Sequence, residues 1–119
     1  MKEIGANGQV DYVEFNVTDI ERSKQFYGDV FGWVFTDYGP TYSEFFDGRI
    51  TGGFSSTEPV TPGGGPLVIF YASHLHETQK KLEAAGAEIV KPIFAFPGGQ
   101  RFHFKDPDGY ILGVWTEDD

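Results

Sequence analysis

The first third of the chain changes from one spacing of apolar residues to another, and this change most constrains the fold. Over residues 10–17 apolar and polar side chains alternate, which is typical of a β-strand with one face in a core. Over residues 18–31 the apolar residues recur at helical spacing, which predicts an amphipathic helix. Gly32, directly after this segment, supplies a helix stop. The sequence therefore predicts a strand followed at once by a helix.

The same order of elements recurs in the second half of the chain. Thr18 and Ser73 are predicted to cap the first and the second helix, each shortly after a strand. Thr18 also has the spacing of a capping box with Glu21, in which two side chains satisfy two free backbone N–H groups. An internal repeat of this kind predicts two modules that bury their sheets together and enclose a cleft. Strands are predicted at about 10–17, 33–36, 42–46 and 49–55, and again at about 67–71, 87–93, 101–105 and 110–116, with the second helix running to about Ala85.

A loop without periodicity separates the two modules. Residues 56–65 contain two prolines and three glycines, which is typical of a linker or a lid. The 119 residues suit one domain, with module one at about 9–57 and module two at about 66–116.

Charge and composition exclude several classes of partner. The formal net charge is −9, which disfavours binding to nucleic acid or to anionic membranes. The chain has no cysteine, so it has no disulfide, no thiolate nucleophile and no cysteine-ligated metal. No apolar run approaches the length of a membrane span, and the first residues do not resemble a signal peptide. We expect a soluble, cytoplasmic protein.

One face of the first strand is unusually polar for a strand in a core. Tyr12, Glu14 and Asn16 share that face, which predicts the wall of a polar cavity. Glu14 is a candidate general base or an anchor for a cationic ligand. The alternative is a structural carboxylate that accepts hydrogen bonds from a tyrosine or a backbone N–H. Gly52 and Gly53 in the fourth strand indicate a bulge or a close approach by a ligand or by another part of the backbone.

His103 is the second candidate for chemistry. It alternates with Phe102 and Phe104, so either the two phenylalanines face the helix and His103 faces the cleft, or the reverse. A His103 that faces the cleft could pair with Glu14 in acid–base chemistry. The same pair could instead form a makeshift metal site. Because two ligands rarely hold a catalytic metal, a solvated or hydrogen-bonded histidine is the alternative.

The paired βαβββ pattern resembles the vicinal oxygen chelate superfamily, which includes glyoxalase I, bleomycin-resistance proteins and extradiol dioxygenases. The resemblance covers residues 9–116 and implies an α+β fold of tandem βαβββ modules that form a cup-shaped mixed sheet with a central cleft, often completed in a homodimer. The residues that carry it are Val17-Thr18-Asp19, Ser23, Phe26-Tyr27, Phe31-Gly32-Trp33, and the segment from Phe104 through Asp106-Pro107-Asp108-Gly109 to Tyr110.

The resemblance also implies four positions for a divalent metal, two in each module. Enzymes of the family usually have histidine on the first strand of each module and glutamate on the last strand. In this sequence the first-strand positions fall on Tyr12 and Leu67, and the last-strand positions fall on Gly52 and Gly113. Leucine and glycine side chains cannot coordinate a cation, and a lone tyrosine is a poor ligand for a labile divalent metal. We expect the usual metal site to be absent and no cofactor to be needed, although a relocated divalent metal stays open.

These observations leave three hypotheses for function. The first is metal-independent binding of a small aromatic or cationic molecule in the cleft. The second is a glyoxalase-like lyase or isomerase, or a dioxygenase, that uses a relocated metal or Glu14 as base, with His103 as a further catalytic candidate. The third is a structural or regulatory domain without a ligand. The expected partners are a small molecule and a second copy of the chain, and the predicted ligand-binding residues are Tyr12, Glu14, Asn16, Phe54, Leu67, Ile69, Tyr71, His103 and Trp115.

Overall fold

The computed structural model describes residues 4–118, which form two βαβββ units. The first unit ends at Thr61 and the second begins at Pro62, within the predicted linker. Each unit contains one helix and one mixed four-stranded sheet. The predicted fold class, α+β with two βαβββ modules, is therefore confirmed. No helix among these residues combines the length and the hydropathy needed to cross a membrane.

The first unit has its last strand in the interior of the sheet. The strands lie in the order β1-β4-β3-β2, with β4 parallel to β1 and antiparallel to β3. The elements in chain order are β1 (Tyr12–Asn16), α1 (Ile20–Phe31), β2 (Val34–Asp37), β3 (Tyr42–Phe46) and β4 (Thr51–Ser55).

Aromatic rings fill the space between α1 and its sheet. Tyr27 on the helix stacks on Trp33 with ring centres 4.6 Å apart, and Trp33 stacks on Phe45 at 4.2 Å. Tyr27 and Phe54 have no exposed surface. Full burial of a large apolar side chain stabilises a fold by about 1.5–3 kcal/mol, so this cluster holds the helix on the sheet.

The cap of α1 differs from the sequence prediction. Asp19 is the N-cap, and its Oδ1 accepts a hydrogen bond of 3.1 Å from the backbone N–H of Arg22. The predicted capping box of Thr18 and Glu21 is therefore wrong, because the helix begins one residue later. The Thr18 hydroxyl instead accepts a bond of 2.8 Å from Nη2 of Arg22. Gly32 ends the helix at a φ of 73°, as predicted.

The second unit repeats this arrangement, with the strand order β5-β8-β7-β6. Its N-cap is His74, not Ser73, so the predicted cap is again one residue too early. Because both caps move by the same step, the separation between the two helix starts is the one that the sequence repeat predicts. The elements are β5 (Ile69–Tyr71), α2 (Leu75–Ala84), β6 (Glu88–Phe96), β7 (Gly99–Lys105) and β8 (Ile111–Glu117).

Strand β6 is longer than predicted and lies at the edge of its sheet. It contains Pro92, and its pairing with β7 shifts register between Ile89 and Lys91 and again between Lys91 and Phe94. An edge position and bulges are what a proline within a strand requires, since proline has no N–H to donate.

Candidate functional site

Each sheet buries one face under its own helix, and we call the opposite face its open face. In the first unit Phe15 and Phe54 are register partners on the helix side, where both rings contact Tyr27. Because side chains alternate along a strand, Tyr12, Glu14 and Asn16 lie on the open face. Tyr12 and Glu14 are exposed and Asn16 is half-buried.

Two tyrosines and Glu14 form a hydrogen-bonded network on this open face. The Tyr42 hydroxyl donates to Oε1 of Glu14 at 2.8 Å, and it lies 2.5 Å from the Tyr12 hydroxyl. Burial raises the pKa of Tyr42 well above its usual value, and the bonds to Tyr12 and Glu14 raise it further. Tyr42 therefore stays a hydrogen-bond donor at physiological pH. The predicted alternative of a structural carboxylate bonded to tyrosine describes this contact of Glu14.

Glycines make room for the rings on both faces of β4. A Cβ at Gly53 would overlap the Tyr42 and Tyr12 hydroxyls, and a Cβ at Gly52 would overlap the Phe45 ring and the carbonyl of Val13. The predicted close approach by backbone is confirmed at Gly52, whereas the groups that approach Gly53 are side chains of the same unit.

Phe54 is predicted to line the binding face, and this prediction is corrected. Its side chain has no exposed surface, and its ring centre lies 5.2 Å from that of Phe45 within the aromatic core. The cause is the length of the hairpins. Residues 47–50 join β3 to β4, whereas residues 106–110 join β7 to β8 with one residue more. A shift of one residue exchanges the two faces of a strand.

The strand pairing gives the corrected correspondence between the two units. Glu14 pairs with Gly53 in the first sheet, and Ile69, which the repeat aligns with Glu14, pairs with Gly113 in the second. Gly53 is therefore the counterpart of Gly113. By the same register Ser55, and not Phe54, is the counterpart of Trp115.

The second sheet carries a basic aromatic cluster on its open face, formed by Lys91, Phe94, Phe96, Arg101 and His103. The guanidinium carbon of Arg101 lies 5.3 Å from the centre of the Phe94 ring and 5.4 Å from that of Phe96. Nζ of Lys91 lies 4.2 Å from the Phe94 ring centre, and the His103 ring meets Phe94 edge-on at 5.7 Å. These distances are those of cation–π and edge-to-face contacts.

His103 lies on the open face because Phe102 and Phe104 are fully buried on the helix side. Burial lowers the pKa of His103, and the nearby charges of Arg101 and Lys91 lower it further. Among residues 4–118, Nε2 of His103 and Nε of Arg101 are buried and have no hydrogen-bond partner. His103 and Glu14 lie in different units, so their predicted pairing stays a prediction.

The remaining predicted residues of the second unit lie near this cluster or beside it in the sheet. Tyr71 and Trp115 are register partners whose rings meet edge-on at 5.5 Å, and Trp115 lies 6.3 Å from Phe96. The Tyr71 hydroxyl donates to both carboxylate oxygens of Glu117, at 2.6 and 2.9 Å. Ile69 is exposed on β5, and Leu67 is exposed just before that strand.

Four residues of the cluster are absent from the sequence prediction, namely Lys91, Phe94, Phe96 and Arg101. A signal for three of them exists, since Phe94 and Phe96 alternate and Arg101 has the same parity as His103. Lys91 and Phe94 are three residues apart, so simple alternation places them on opposite faces. The register shifts in β6 bring them to the same face.

The residues at the implied metal positions do not fit a divalent ion. Tyr12 directs its hydroxyl to Tyr42, Leu67 is apolar, and Gly113 has no side chain. The corrected register replaces Gly52 by Gly53, which adds no donor. In the described part of the chain, no group of three or more His, Asp or Glu side chains is placed to hold a metal.

A separate depression of about 450 Å³ lies at the start of α2. Its lining includes His74, His76 and Glu117, and none of these is a predicted site residue. Glu117 also lies on the open face of the second sheet, where its carboxylate accepts a hydrogen bond from Tyr71. We assign this depression no function.

Comparison with known proteins gives one consistent result. The sequence profile of the Glyoxalase/Bleomycin resistance protein/Dioxygenase superfamily matches residues 9–114. The protein named "Putative glyoxylase CFP32" in Mycobacterium bovis is 25% identical, over 91% of this chain and 45% of that protein. This chain thus spans about half the length of that relative.

Two solved structures illustrate the similarity in fold. A glyoxalase/bleomycin resistance protein/dioxygenase family enzyme from Burkholderia phytofirmans PsJN matches with a TM-score of 0.80 at 20% identity, over 92% of this chain and 100% of that one. TioX from Micromonospora sp. ML1 matches with a TM-score of 0.72 at 25% identity, over 93% of this chain and 100% of that one.

Proposed function

Because the chain belongs to the glyoxalase/bleomycin resistance protein/dioxygenase superfamily but has at most one donor side chain, that of Tyr12, at the implied metal positions, we propose that it binds a small planar aromatic molecule without a metal ion. Membership of the family does not itself supply an activity, since the same fold hosts many functions. The proposal therefore depends on what the open faces of the sheets present.

The observation that supports the proposal is a row of accessible rings across the second sheet. Tyr71 on β5, Trp115 on β8 and Phe96 on β6 lie in successive edge or tilted contact, and all three have exposed surface. Rings in a core pack against a helix, whereas these lie on the face that α2 does not cover. Aromatic rings with one accessible side are typical of sites for flat apolar ligands.

Fluorescence of Trp115 tests this proposal directly. The chain has two tryptophans, and Trp33 is buried in the core of the first unit. A Trp33→Phe variant therefore isolates the signal of Trp115. We expect saturable 1:1 quenching when chelator-treated protein is titrated with 2-naphthamide, a neutral bicyclic probe.

The matched variants are Phe96→Ala and Ile111→Ala in the same background. Phe96 contacts Trp115, whereas Ile111 is an exposed apolar residue at the other end of β8. We expect Phe96→Ala to weaken binding about 5- to 30-fold, from the loss of one stacking contact and its buried area, and Ile111→Ala to have little effect. Binding that is absent, or that is unchanged in Phe96→Ala, would contradict the proposal.

The contact between Tyr42 and Glu14 supports a second candidate, an enzyme that uses Glu14 as a general base. The hydrogen bond from Tyr42 fixes one carboxylate oxygen of an exposed Glu14, which orients the carboxylate as a base needs. The test is turnover of glyoxalase and dioxygenase substrates by the wild type and by Glu14→Gln. Equal turnover in both proteins would contradict a role for Glu14.

The predicted cleft between the modules, the homodimer and the cytoplasmic location stay predictions. So does the binding of a cationic ligand by Glu14, for which the acidic open face of the first sheet is the support.

A further inference from the structure

Positive charge in the basic aromatic cluster has no counter-charge among the described residues. Lys91 and Arg101 both lie against Phe94, and neither forms a salt bridge with an acid in residues 4–118. Two carboxylates share the open face of this sheet, but both are engaged elsewhere. Glu117 accepts hydrogen bonds from Tyr71, and Glu88 lies 4.0 Å from Lys105.

Two buried hydrogen-bonding atoms of the cluster also lack partners. Nε of Arg101 can only donate, and the imidazole Nε2 of His103 can donate when it carries the proton. A buried donor without an acceptor costs about 1–3 kcal/mol, and more if the group is charged. Arg101 and His103 are two residues apart on the same face of β7, and both contact one ring, that of Phe94.

We infer that Arg101 and His103 bind the carboxylate of an aromatic acid whose ring lies on Trp115 and Phe96. This inference rests on the proposed function and adds the charge of the ligand to it. A carboxylate has two acceptor oxygens in one plane, so one oxygen can face Nε of Arg101 and the other Nε2 of His103. Because both atoms are buried, the carboxylate reaches them by displacing the ring of Phe94, which contacts both side chains. Lys91, which is exposed, adds positive charge at the entrance to this site.

The inference is specific because the chain as a whole is acidic. With a net charge of −9, general electrostatic attraction favours cationic molecules. Preference for an anion must therefore come from the local donors of the cluster, and it distinguishes the second sheet from the first.

Three probes with one ring system separate charge from ring binding. They are 2-naphthoate, 2-naphthamide and 2-naphthylmethylammonium, which are anionic, neutral and cationic. In the Trp33→Phe background we expect naphthoate to bind at least about tenfold more tightly than naphthamide, the range of a charge-assisted hydrogen bond, and the ammonium compound to bind most weakly.

Arg101→Gln and Lys105→Gln form the matched pair of variants. Both remove one positive charge from the same face of β7, but Lys105 lies at the far end of the strand beside Glu88. We expect Arg101→Gln to weaken naphthoate binding about 10- to 100-fold while naphthamide binding changes less than about threefold. We expect Lys105→Gln to change the affinity for naphthoate and the affinity for naphthamide by less than about twofold.

An NMR titration tests the carboxylate contact without any ring. The chain has only three arginines, so the Nε–H signal of Arg101 can be assigned by its loss in Arg101→Gln. We expect sodium acetate to shift that signal, and sodium chloride at equal ionic strength not to shift it.

The outcomes separate the two proposals. Equal affinity for naphthoate and naphthamide would overturn the inference and leave the proposed function standing. Tightest binding of the ammonium probe would overturn the inference in favour of a cationic ligand. Absence of binding by all three probes would overturn the proposed function; the inferred carboxylate contact would then be upheld or overturned by whether acetate shifts the Arg101 signal.

Discussion

The hydroxyl of Tyr42 donates a hydrogen bond of 2.8 Å to Oε1 of Glu14 across the strand that lies between them. Tyr42 is on β3, Glu14 is on β1, and β4 separates the two. The side chain of Tyr42 reaches Glu14 because β4 has Gly53 at the crossing point, where a Cβ would overlap the tyrosine hydroxyl. The same tyrosine hydroxyl contacts Tyr12, the residue at an implied metal position. The polar face of the first sheet is thus arranged around hydrogen bonds between its own side chains.

Replacement of Gly53 by alanine tests this arrangement. We expect Gly53→Ala to displace Tyr42 and to lower the free energy of unfolding by about 1–3 kcal/mol, the cost of overpacking a site without space. Urea denaturation measures the change. Gly63→Ala is the matched control, since a Cβ there meets no atom within 4 Å. A loss of stability as large in Gly63→Ala as in Gly53→Ala would show that steric overlap is not the cause.

The raised pKa of Tyr42 should also be measurable in an alkaline titration. Its pKa is raised above the ordinary value of 10.0 by burial and by its bonds to Tyr12 and Glu14, so the folded protein holds this proton more tightly than the unfolded chain does. The resulting stability is present below pH 10 and is lost as the pH rises above it. We expect Tyr42→Phe to leave the tyrosinate absorbance of the folded protein unchanged near pH 11, and to lower it by one tyrosine in guanidinium chloride. If Tyr42→Phe also lowered the tyrosinate absorbance of the folded protein by one tyrosine near pH 11, the raised pKa of Tyr42 would be contradicted.

The sequence predicts the order of elements well, because the apolar spacing and the repeat between the two halves are strong local signals. The face of each strand is harder to predict where hairpin lengths differ. Phe54 aligns with Trp115 only if the two hairpins are equally long, and the extra residue in 106–110 removes that match. The pairing between strands decides which face of the sheet a side chain occupies. The sequence of one strand alone does not contain that information.

The basic aromatic cluster could not be predicted from the sequence, for a related reason. Pro92 interrupts the pattern of β6, so a strand predicted to end at residue 93 excludes Phe94 and Phe96. The register shifts then place Lys91 and Phe94 on one face against strict alternation. His103 could be identified as a candidate but not oriented, since phenylalanines on both sides of it leave two equal patterns. The burial of Phe102 and Phe104 under α2 resolves that choice.

The N-cap of α1 is tested by a pair of neighbouring substitutions. We expect Asp19→Ala to lower the free energy of unfolding by about 1 kcal/mol, since Oδ1 satisfies the N–H of Arg22 at the helix start. We expect Thr18→Ala to cost less than about 0.5 kcal/mol, because its hydroxyl bonds an exposed arginine side chain. Urea denaturation of both variants measures the difference. A larger loss of unfolding free energy in Thr18→Ala than in Asp19→Ala would support the cap predicted from the sequence.

The stability of the domain should fall in mild acid because of His103. Burial and the charges of Arg101 and Lys91 lower the pKa of this histidine below its ordinary value of 6.5. Below pH 6.5 the unfolded chain takes up a proton that the folded protein resists, so stability present above that pH is lost as the pH falls through the lower folded value. We expect His103→Gln to flatten this part of the curve of stability against pH. An unchanged curve in the variant would assign the acid sensitivity to other groups.

The same curve, measured with a bound aromatic carboxylate, is the control for that assignment. The negative charge of the ligand beside His103 favours the protonated ring, so it offsets the effect of Arg101 and Lys91. Saturating 2-naphthoate should therefore reduce the acid loss of stability in the wild type and have no such effect in His103→Gln.

The last prediction concerns metal ions. Tyr12, Leu67, Gly53 and Gly113 offer at most one side-chain donor at the implied positions, and a stable divalent site needs three or four. We expect calorimetric titration of chelator-treated protein with Ni²⁺, Zn²⁺, Mn²⁺ and Fe²⁺ to show no stoichiometric binding tighter than about 1 µM, which is about −8 kcal/mol. Stoichiometric binding above that affinity would contradict the prediction and indicate a relocated site. Loss of such binding in both Glu14→Gln and His103→Gln would assign the metal to these residues and favour the enzyme over the binding protein, whereas loss in neither would direct the search to the remaining carboxylates.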